Sequence, residues 1–148
     1  MKTLILMRHG QAGFSVTIDG QRPLTPVGEQ QTAQAGLHLK QAGFTPQVIF
    51  CSPLLRARQS AQLAGQAWKI NPVNASELDG RLSAAGLVEF ARELTAQYDS
   101  VMLVGHNPNI SLAAGVLSEN YISFRPADCA AFDVTDFDNP KLLFQELS

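Results

Sequence analysis

The chain is short of the features that define several large protein classes. Its 148 residues include two cysteines, one tryptophan and no excess of basic side chains, and the formal net charge is −2 at pH 7. Cys51 and Cys129 make neither a CxxC pair nor a Cys/His ligand spacing. This excludes a disulfide framework or a zinc ribbon; the thiols read as buried, with a single disulfide or a reactive cysteine as the alternatives. A nucleic-acid binder presents a basic face, which a slightly acidic chain with a pI near 5.8 does not provide, so any anion site is local. No apolar stretch approaches the roughly 20 residues of a membrane span. The N-terminus carries one lysine and then a strand pattern, without a secretory leader and its cleavage site. The expectation is a cytoplasmic protein with neither nucleic acid nor membrane as partner.

Repeats and low-complexity tracts are also missing. With 45% apolar and 16% charged residues, 148 residues bury one sizeable core, and a single domain over residues 1–148 is the expected organisation. The eight phenylalanines and the tryptophan fit such a core and its rim, and nothing in their spacing marks a dimer face.

What is present is concentrated at three junctions. Leu4-Ile5-Leu6-Met7 is a short apolar run that reads as a buried strand, and it ends in Arg8-His9-Gly10. The carboxyl end of such a strand is where open α/β sheets bind ligands. Arginine carries a permanent planar charge suited to phosphate, and histidine can be a neutral nucleophile near pH 7, so the pair can hold an anion and attack it. Alone, the tripeptide is only an Arg-His pair at a strand end, which is usually a solvated edge. The second junction runs from Val48-Ile49-Phe50-Cys51 into Ser52-Pro53-Leu54-Leu55-Arg56-Ala57. Ser52 as cap and Pro53 at the first helical position predict a helix with its apolar face along Leu54, Ala57, Ala61, Ala64 and Trp68. Arg56 then lies near the positive end of the helix dipole, where a phosphoryl oxygen is favoured. The third junction joins Val101-Met102-Leu103-Val104 to Gly105-His106-Asn107-Pro108-Asn109, followed by a helical stripe of Ile110, Ala113, Ala114 and Leu117. Three parallel strands ending side by side would gather Arg8, His9, Arg56 and His106 at one rim.

These elements, in this order, resemble the histidine phosphatase superfamily, the phosphoglycerate mutase-like group: an Arg-His-Gly strand end, a Ser-Pro-x-x-Arg-Ala segment and a second histidine after a late strand. The short length, Arg22-Pro23-Leu24-Thr25-Pro26-Val27-Gly28 and Gly105-His106-Asn107-Pro108 are most similar to the SixA-type phosphohistidine phosphatases. The resemblance covers about the first 117 residues. It implies a phosphatase without metal or cofactor, in which neutral His9 attacks phosphorus while Arg8, Arg56 and protonated His106 neutralise the phosphoryl oxygens. It also implies Arg22 as a further phosphate-binding cation, the alternative being a surface arginine in a loop. Arg58, two residues beyond Arg56, points to another side of the helix and reads as a surface residue. His38, mid-helix among polar neighbours, reads as solvent-facing.

Ester cleavage needs a proton for the departing alkoxide. Glu77, in Ser76-Glu77-Leu78-Asp79-Gly80, falls where the resemblance places such an acid, and it reads as that donor, a pocket-rim residue or a solvated loop carboxylate. Gln11-Ala12-Gly13-Phe14 and Leu78-Asp79-Gly80-Arg81 depart from the mutase pattern, which disfavours mutase activity. A phosphohistidine substrate loses its imidazole more readily than an ester loses alkoxide and has less need of an acid. Short connections between Ala67 and Ala84 and between Leu117 and Ala131 leave no room for a cap domain, which suits a phosphorylated side chain on another protein. Three readings follow: a protein phosphohistidine phosphatase acting on a histidine phosphotransfer or phosphocarrier protein; a phosphatase of small phosphorylated metabolites; and an idle phosphate-binding module, whose hallmark would be loss of Arg8, His9, Arg56 or His106.

The rest of the chain alternates. Thr25 and Pro26 open a helix through about Lys40 that Gly43 ends, and Leu87, Phe90, Ala91 and Leu94 mark a helix over Ala84 to Gln97. Ala131 to Thr135 and Leu142 to Leu147, separated by the turn residues Asp138-Asn139-Pro140, read as an antiparallel hairpin at one edge. The expected fold is a three-layer α/β/α sandwich on a mixed, mainly parallel sheet of five or six strands.

Overall fold

A computed structural model describes residues 1–14 and 19–148. Its elements run β1 (Thr3–Arg8), α1 (Pro26–Gln41), β2 (Val48–Cys51), α2 (Leu55–Gly65), β3 (Val73–Asn74), α3 (Ala84–Gln97), β4 (Ser100–Gly105), α4 (Asn109–Ser118), β5 (Cys129–Asp133) and β6 (Lys141–Glu146). The six strands form one sheet in the order β3-β2-β4-β1-β5-β6. The pairs β3–β2, β2–β4 and β4–β1 are parallel, whereas β1–β5 and β5–β6 are antiparallel.

The central strands are apolar without interruption because helices cover both of their faces. Period-two alternation divides their side chains between two cores. Leu4, Leu6, Val101 and Leu103 pack with Leu87 and Leu94 of α3, Ile110 and Leu117 of α4, and Phe124 and Phe132. Ile5, Met7, Met102, Val104 and Ile49 pack with Ala35 and Leu39 of α1 and Ala61 and Ala64 of α2. The sandwich expected from the sequence is therefore observed. β3 and β6 are the edge strands, and β5 sits between β6 and β1.

Helix boundaries follow the local chemistry. The Thr25 side chain accepts from the Gly28 N–H at 3.0 Å, Pro26 opens α1, and Gly43 takes φ +97° just beyond its end. Helices α1 and α2 meet at Gly36, where a Cβ would lie 2.3 Å from the Ala64 carbonyl oxygen.

Four details differ from the sequence reading. α2 begins at Leu55 rather than at Pro53, with Leu54 as a cap residue that makes no side-chain bond; the buried Ser52 hydroxyl accepts the Leu54 N–H at 3.2 Å and also faces His106. Trp68 lies beyond the end of α2, and its Nε1–H donates to the Phe44 carbonyl at 2.9 Å. His38 is only half-exposed, its Nδ1 lying 2.6 Å from Glu146 Oε1 of β6. The two-residue β3 was not anticipated; two residues carry no periodicity.

Cys51 and Cys129 are buried free thiols. Burial pushes them up, to about 11 and about 12 respectively, so neither is poised as a thiolate. No helix among the described residues is long and apolar enough to cross a membrane.

Candidate active site

Parallel register aligns the three strand ends. Arg8 is opposite Gly105 and Cys51 is opposite Val104. One residue further, the His9 N–H donates to the Gly105 carbonyl at 3.1 Å and the Ser52 N–H to the Val104 carbonyl at 3.1 Å. His9, Ser52 and His106 consequently leave the sheet at one level. The rings of His9 and His106 are 5.1 Å apart between centroids and tilted by 58°. Both residues are buried, at 8% and 7% relative exposure.

His9 has a defined tautomer. Its Nδ1 lies 2.7 Å from the Gly10 carbonyl oxygen, an atom that can only accept, so Nδ1 carries the proton and Nε2 keeps its lone pair. Burial pushes the imidazole down to about 4 from the ordinary 6.5. The Gly10 carbonyl pulls upward, and the charges of Arg56, Arg8 and Arg22 add to the depression. The ring is thus held neutral at pH 7 with one nitrogen free as a nucleophile or base.

The same electrostatics place the arginines. Arg56, Arg8 and Arg22 all lie close enough to act on His9, so the structure brings together the three cations singled out in the sequence. Arg56 is the second residue of α2 and is 7% exposed. Arg8 is half-buried and lowered by burial, with Asp128 pulling it back up. Its Nη1 donates to the Phe124 carbonyl at 3.0 Å, while its buried Nε has no partner among the described residues. Arg22 sits in a segment tied to its neighbours by main-chain groups: Gly13 N–H to the Pro23 carbonyl at 2.8 Å, and Thr25 N–H to the Gln11 carbonyl at 3.0 Å. The Leu24 N–H also donates to Gln59 Oε1 of α2 at 2.8 Å. Arg58, by contrast, is exposed and donates from Nε to the Pro53 carbonyl at 3.0 Å, as expected of a surface residue.

His106 Nε2 lies 2.7 Å from Ser52 Oγ. Glu77 is exposed on a short 3-10 turn, Ser76–Leu78. It lines a small recess together with Gly105 and His106. Among the described residues, no group of three or more His, Cys, Asp and Glu side chains is arranged to hold a metal ion; the cations facing His9 are arginines.

Sequence reasoning missed the residues that hold this constellation in place. Ser52 reads as a helix cap, yet its hydroxyl faces His106. Ser60 is fully buried; its hydroxyl donates to the Arg56 carbonyl at 2.6 Å and accepts from the Gly10 N–H at 2.9 Å. One serine thus joins the backbone that carries Arg56 to the loop that carries His9. The available signal was its position four residues after Arg56, which puts it one helical turn further on. Gly28 is needed at the same loop, since a Cβ there would lie 2.1 Å from the Gln11 carbonyl oxygen.

A model described as histidine phosphatase superfamily (branch 1) matches residues 4–82, which include Arg8, His9 and Arg56. An uncharacterized protein of Picosynechococcus sp. is 36% identical over 111 residues, covering 72% of this chain and 67% of that protein. The 2,3-bisphosphoglycerate-dependent phosphoglycerate mutase 1 of Nitrosomonas europaea is 33% identical over 102 residues, or 59% of this chain. The match spans 44% of that mutase's length. The structure of the protein histidine phosphatase SixA complexed with tungstate superimposes with a TM-score of 0.87 at 23% identity, over 98% of this chain and 96% of that one. This last likeness establishes a shared fold.

Proposed function

Because the chain belongs to the histidine phosphatase superfamily, we propose that it is a phosphatase that works through a phosphohistidine intermediate on His9, with a phosphohistidine side chain of another protein as substrate. The observation that carries the reading is the fixed tautomer of His9: Nδ1–H is committed to the Gly10 carbonyl, Nε2 is unprotonated, and the charges of Arg56, Arg8 and Arg22 act on the ring. The same arginines that keep the nucleophile neutral neutralise the phosphoryl oxygens it must approach.

The chemistry runs in two displacements. The Nε2 lone pair of His9 attacks phosphorus in line, an N–P bond forms, and the bond to the leaving group breaks with its electron pair departing on the leaving nitrogen or oxygen. Positive charge that develops on the His9 ring is met by the Gly10 carbonyl at Nδ1–H. Water then attacks the phosphoryl group, the N–P bond breaks, and the electron pair returns to Nε2, leaving inorganic phosphate. Arg8, Arg56, Arg22 and His106 bind the phosphoryl oxygens in this scheme.

The leaving group decides between substrates. A phosphohistidine side chain releases an imidazole, which departs more readily than an alkoxide. The connections bordering the site, residues 75–83 and 119–128, contain no inserted domain to enclose a metabolite. A histidine phosphotransfer or phosphocarrier protein is therefore the preferred substrate class. Glu77, beside His106 at the recess, favours a second reading in which it protonates the alkoxide of a small phosphate ester.

Phosphate release from a phosphohistidine protein and from a panel of small phosphate esters separates the two. The first reading expects preference for the protein, activity abolished by His9→Ala, and tolerance of Glu77→Gln. Preference for an ester, with activity lost in both variants, would replace it with the second. A His9→Ala protein with full turnover would overturn both.

A further inference from the structure

The segment 119–128 between α4 and β5 has no regular main-chain pairing of its own at Phe124, so the polar groups of that peptide must find other partners. The partners come from the segment that follows His106. The Phe124 N–H donates to Ser111 Oγ at 2.9 Å, the Ser111 hydroxyl donates to Asn107 Oδ1 at 2.6 Å, and Asn107 Nδ2 donates to the Phe124 carbonyl at 2.7 Å. The three bonds close a ring in which each of the two side chains uses both a donor and an acceptor. The Phe124 carbonyl, with its second lone pair, then accepts Nη1 of Arg8 at 3.0 Å, 116 residues away in sequence. The Phe124 side chain is buried in the core, which fixes the peptide's position but not the direction of its carbonyl.

We propose that Ser111 is a positioning residue for Arg8: with Asn107 it aims the Phe124 carbonyl, and that carbonyl holds the guanidinium so that its remaining edge faces the phosphoryl group. The inference rests on the phosphatase reading given above and extends it to a residue that touches no substrate. Arg8 Nη1 is occupied by the carbonyl and Nε is buried and unpartnered among the described residues, so the Phe124 carbonyl is the contact that anchors one edge of the fork. A planar fork is useful for phosphate only in the right orientation, which is why the anchor matters more to arginine than to a point charge. Asn107 follows His106 directly and Ser111 lies four residues after Asn107, so the ring also ties the second histidine's strand end to the arginine of the first.

Calorimetric titration with inorganic phosphate tests this on the wild type, Ser111→Ala, Ser111→Thr, Arg8→Lys and the double variant Ser111→Ala/Arg8→Lys. Ser111→Ala should weaken phosphate binding about tenfold, the equivalent of about 1.4 kcal/mol, with the same loss in kcat/KM. Ser111→Thr keeps the hydroxyl at a position that borders an open surface groove with Leu112 and Val116, so binding should return to within about twofold of wild type. In the Arg8→Lys background, where no fork remains to be aimed, Ser111→Ala should cost nothing further. Equal phosphate affinity in wild type and Ser111→Ala overturns the inference, as does the same loss in both backgrounds, which would make Ser111 merely structural. A wild-type protein that neither binds nor releases phosphate overturns the phosphatase reading, and the inference with it.

Discussion

Replacing His9 by a side chain that does not titrate examines the electrostatics of the site without any substrate. Burial pushes the imidazole down to about 4, against an upward pull from the Gly10 carbonyl and with the charges of Arg56, Arg8 and Arg22 adding to the depression. In the unfolded chain the same ring titrates near 6.5. Between those two values the unfolded state holds the proton and the folded state does not, so stability rises with pH across the window and is lost as pH falls through it. The full window is worth about 3 kcal/mol, and the part lost between pH 7 and pH 5 is about 2 kcal/mol. His9→Asn keeps a donor for the Gly10 carbonyl and removes the titration. Urea unfolding of both proteins at pH 7 and pH 5 should show the wild type losing about 2 kcal/mol more than the variant. Equal losses would refute the reasoning, because they would mean that His9 titrates alike in both states. A proton-NMR titration of the His9 ring with a midpoint near 6.5 would do the same. If His9 is the nucleophile, as proposed, kcat/KM has no acid limb near 6.5 from it, since its ring stays neutral well below that pH.

Two further perturbations follow from close contacts. Gly36→Ala drives a Cβ to 2.3 Å from the Ala64 carbonyl oxygen, which is backbone and cannot turn aside. Forcing α1 from α2 should cost about 1–3 kcal/mol and lower Tm by several degrees, with KM unchanged; a calorimetric scan that superimposes on the wild type would count against the close helix contact. Ser60→Ala leaves the Gly10 N–H without its acceptor in a buried setting. Stability should fall by about 1–3 kcal/mol, and kcat should fall with it because the residue whose N–H Ser60 holds also carries the carbonyl that sets the His9 tautomer; denaturant melts and turnover both at wild-type values would remove Ser60 from the account.

The strand ends were legible in the sequence for a physical reason. A strand buried on both faces must be apolar throughout, so the first charged residues after Met7 and the histidine after Gly105 stand out where the sheet stops. Caps made α1 legible, since Thr25, Pro26 and Gly43 each satisfy a terminus in a way few other residues can. The second role of Ser52 was not legible, because a serine before a helix reads as a local main-chain acceptor, which it is for the Leu54 N–H, and only the packing of β2 against β4 brings His106 to 2.7 Å from the same hydroxyl. The Phe124 carbonyl was beyond reach for a deeper reason: a main-chain acceptor is present at every residue, and its identity says nothing of where it points.

The same asymmetry explains how the site is built. Its charges come from Arg8, Arg22 and Arg56 and its candidate nucleophile is the neutral ring of His9, residue types whose chemistry can be read one letter at a time. Their directions come from carbonyls at Gly10, Arg56 and Phe124 and from hydroxyls at Ser52, Ser60 and Ser111. A neutral acceptor can hold one edge of a guanidinium or one nitrogen of an imidazole without cancelling its charge. A carboxylate hydrogen-bonded in the same place would hold the group as firmly, but it would compete with the phosphate for the cation and raise the pKa of His9; Asp128, whose charge does reach Arg8, instead has its oxygens on the Arg125 and Ser148 N–H groups. Neutral anchors under charged side chains are what a site needs if it is to keep its nucleophile unprotonated and its cations available to an anionic substrate.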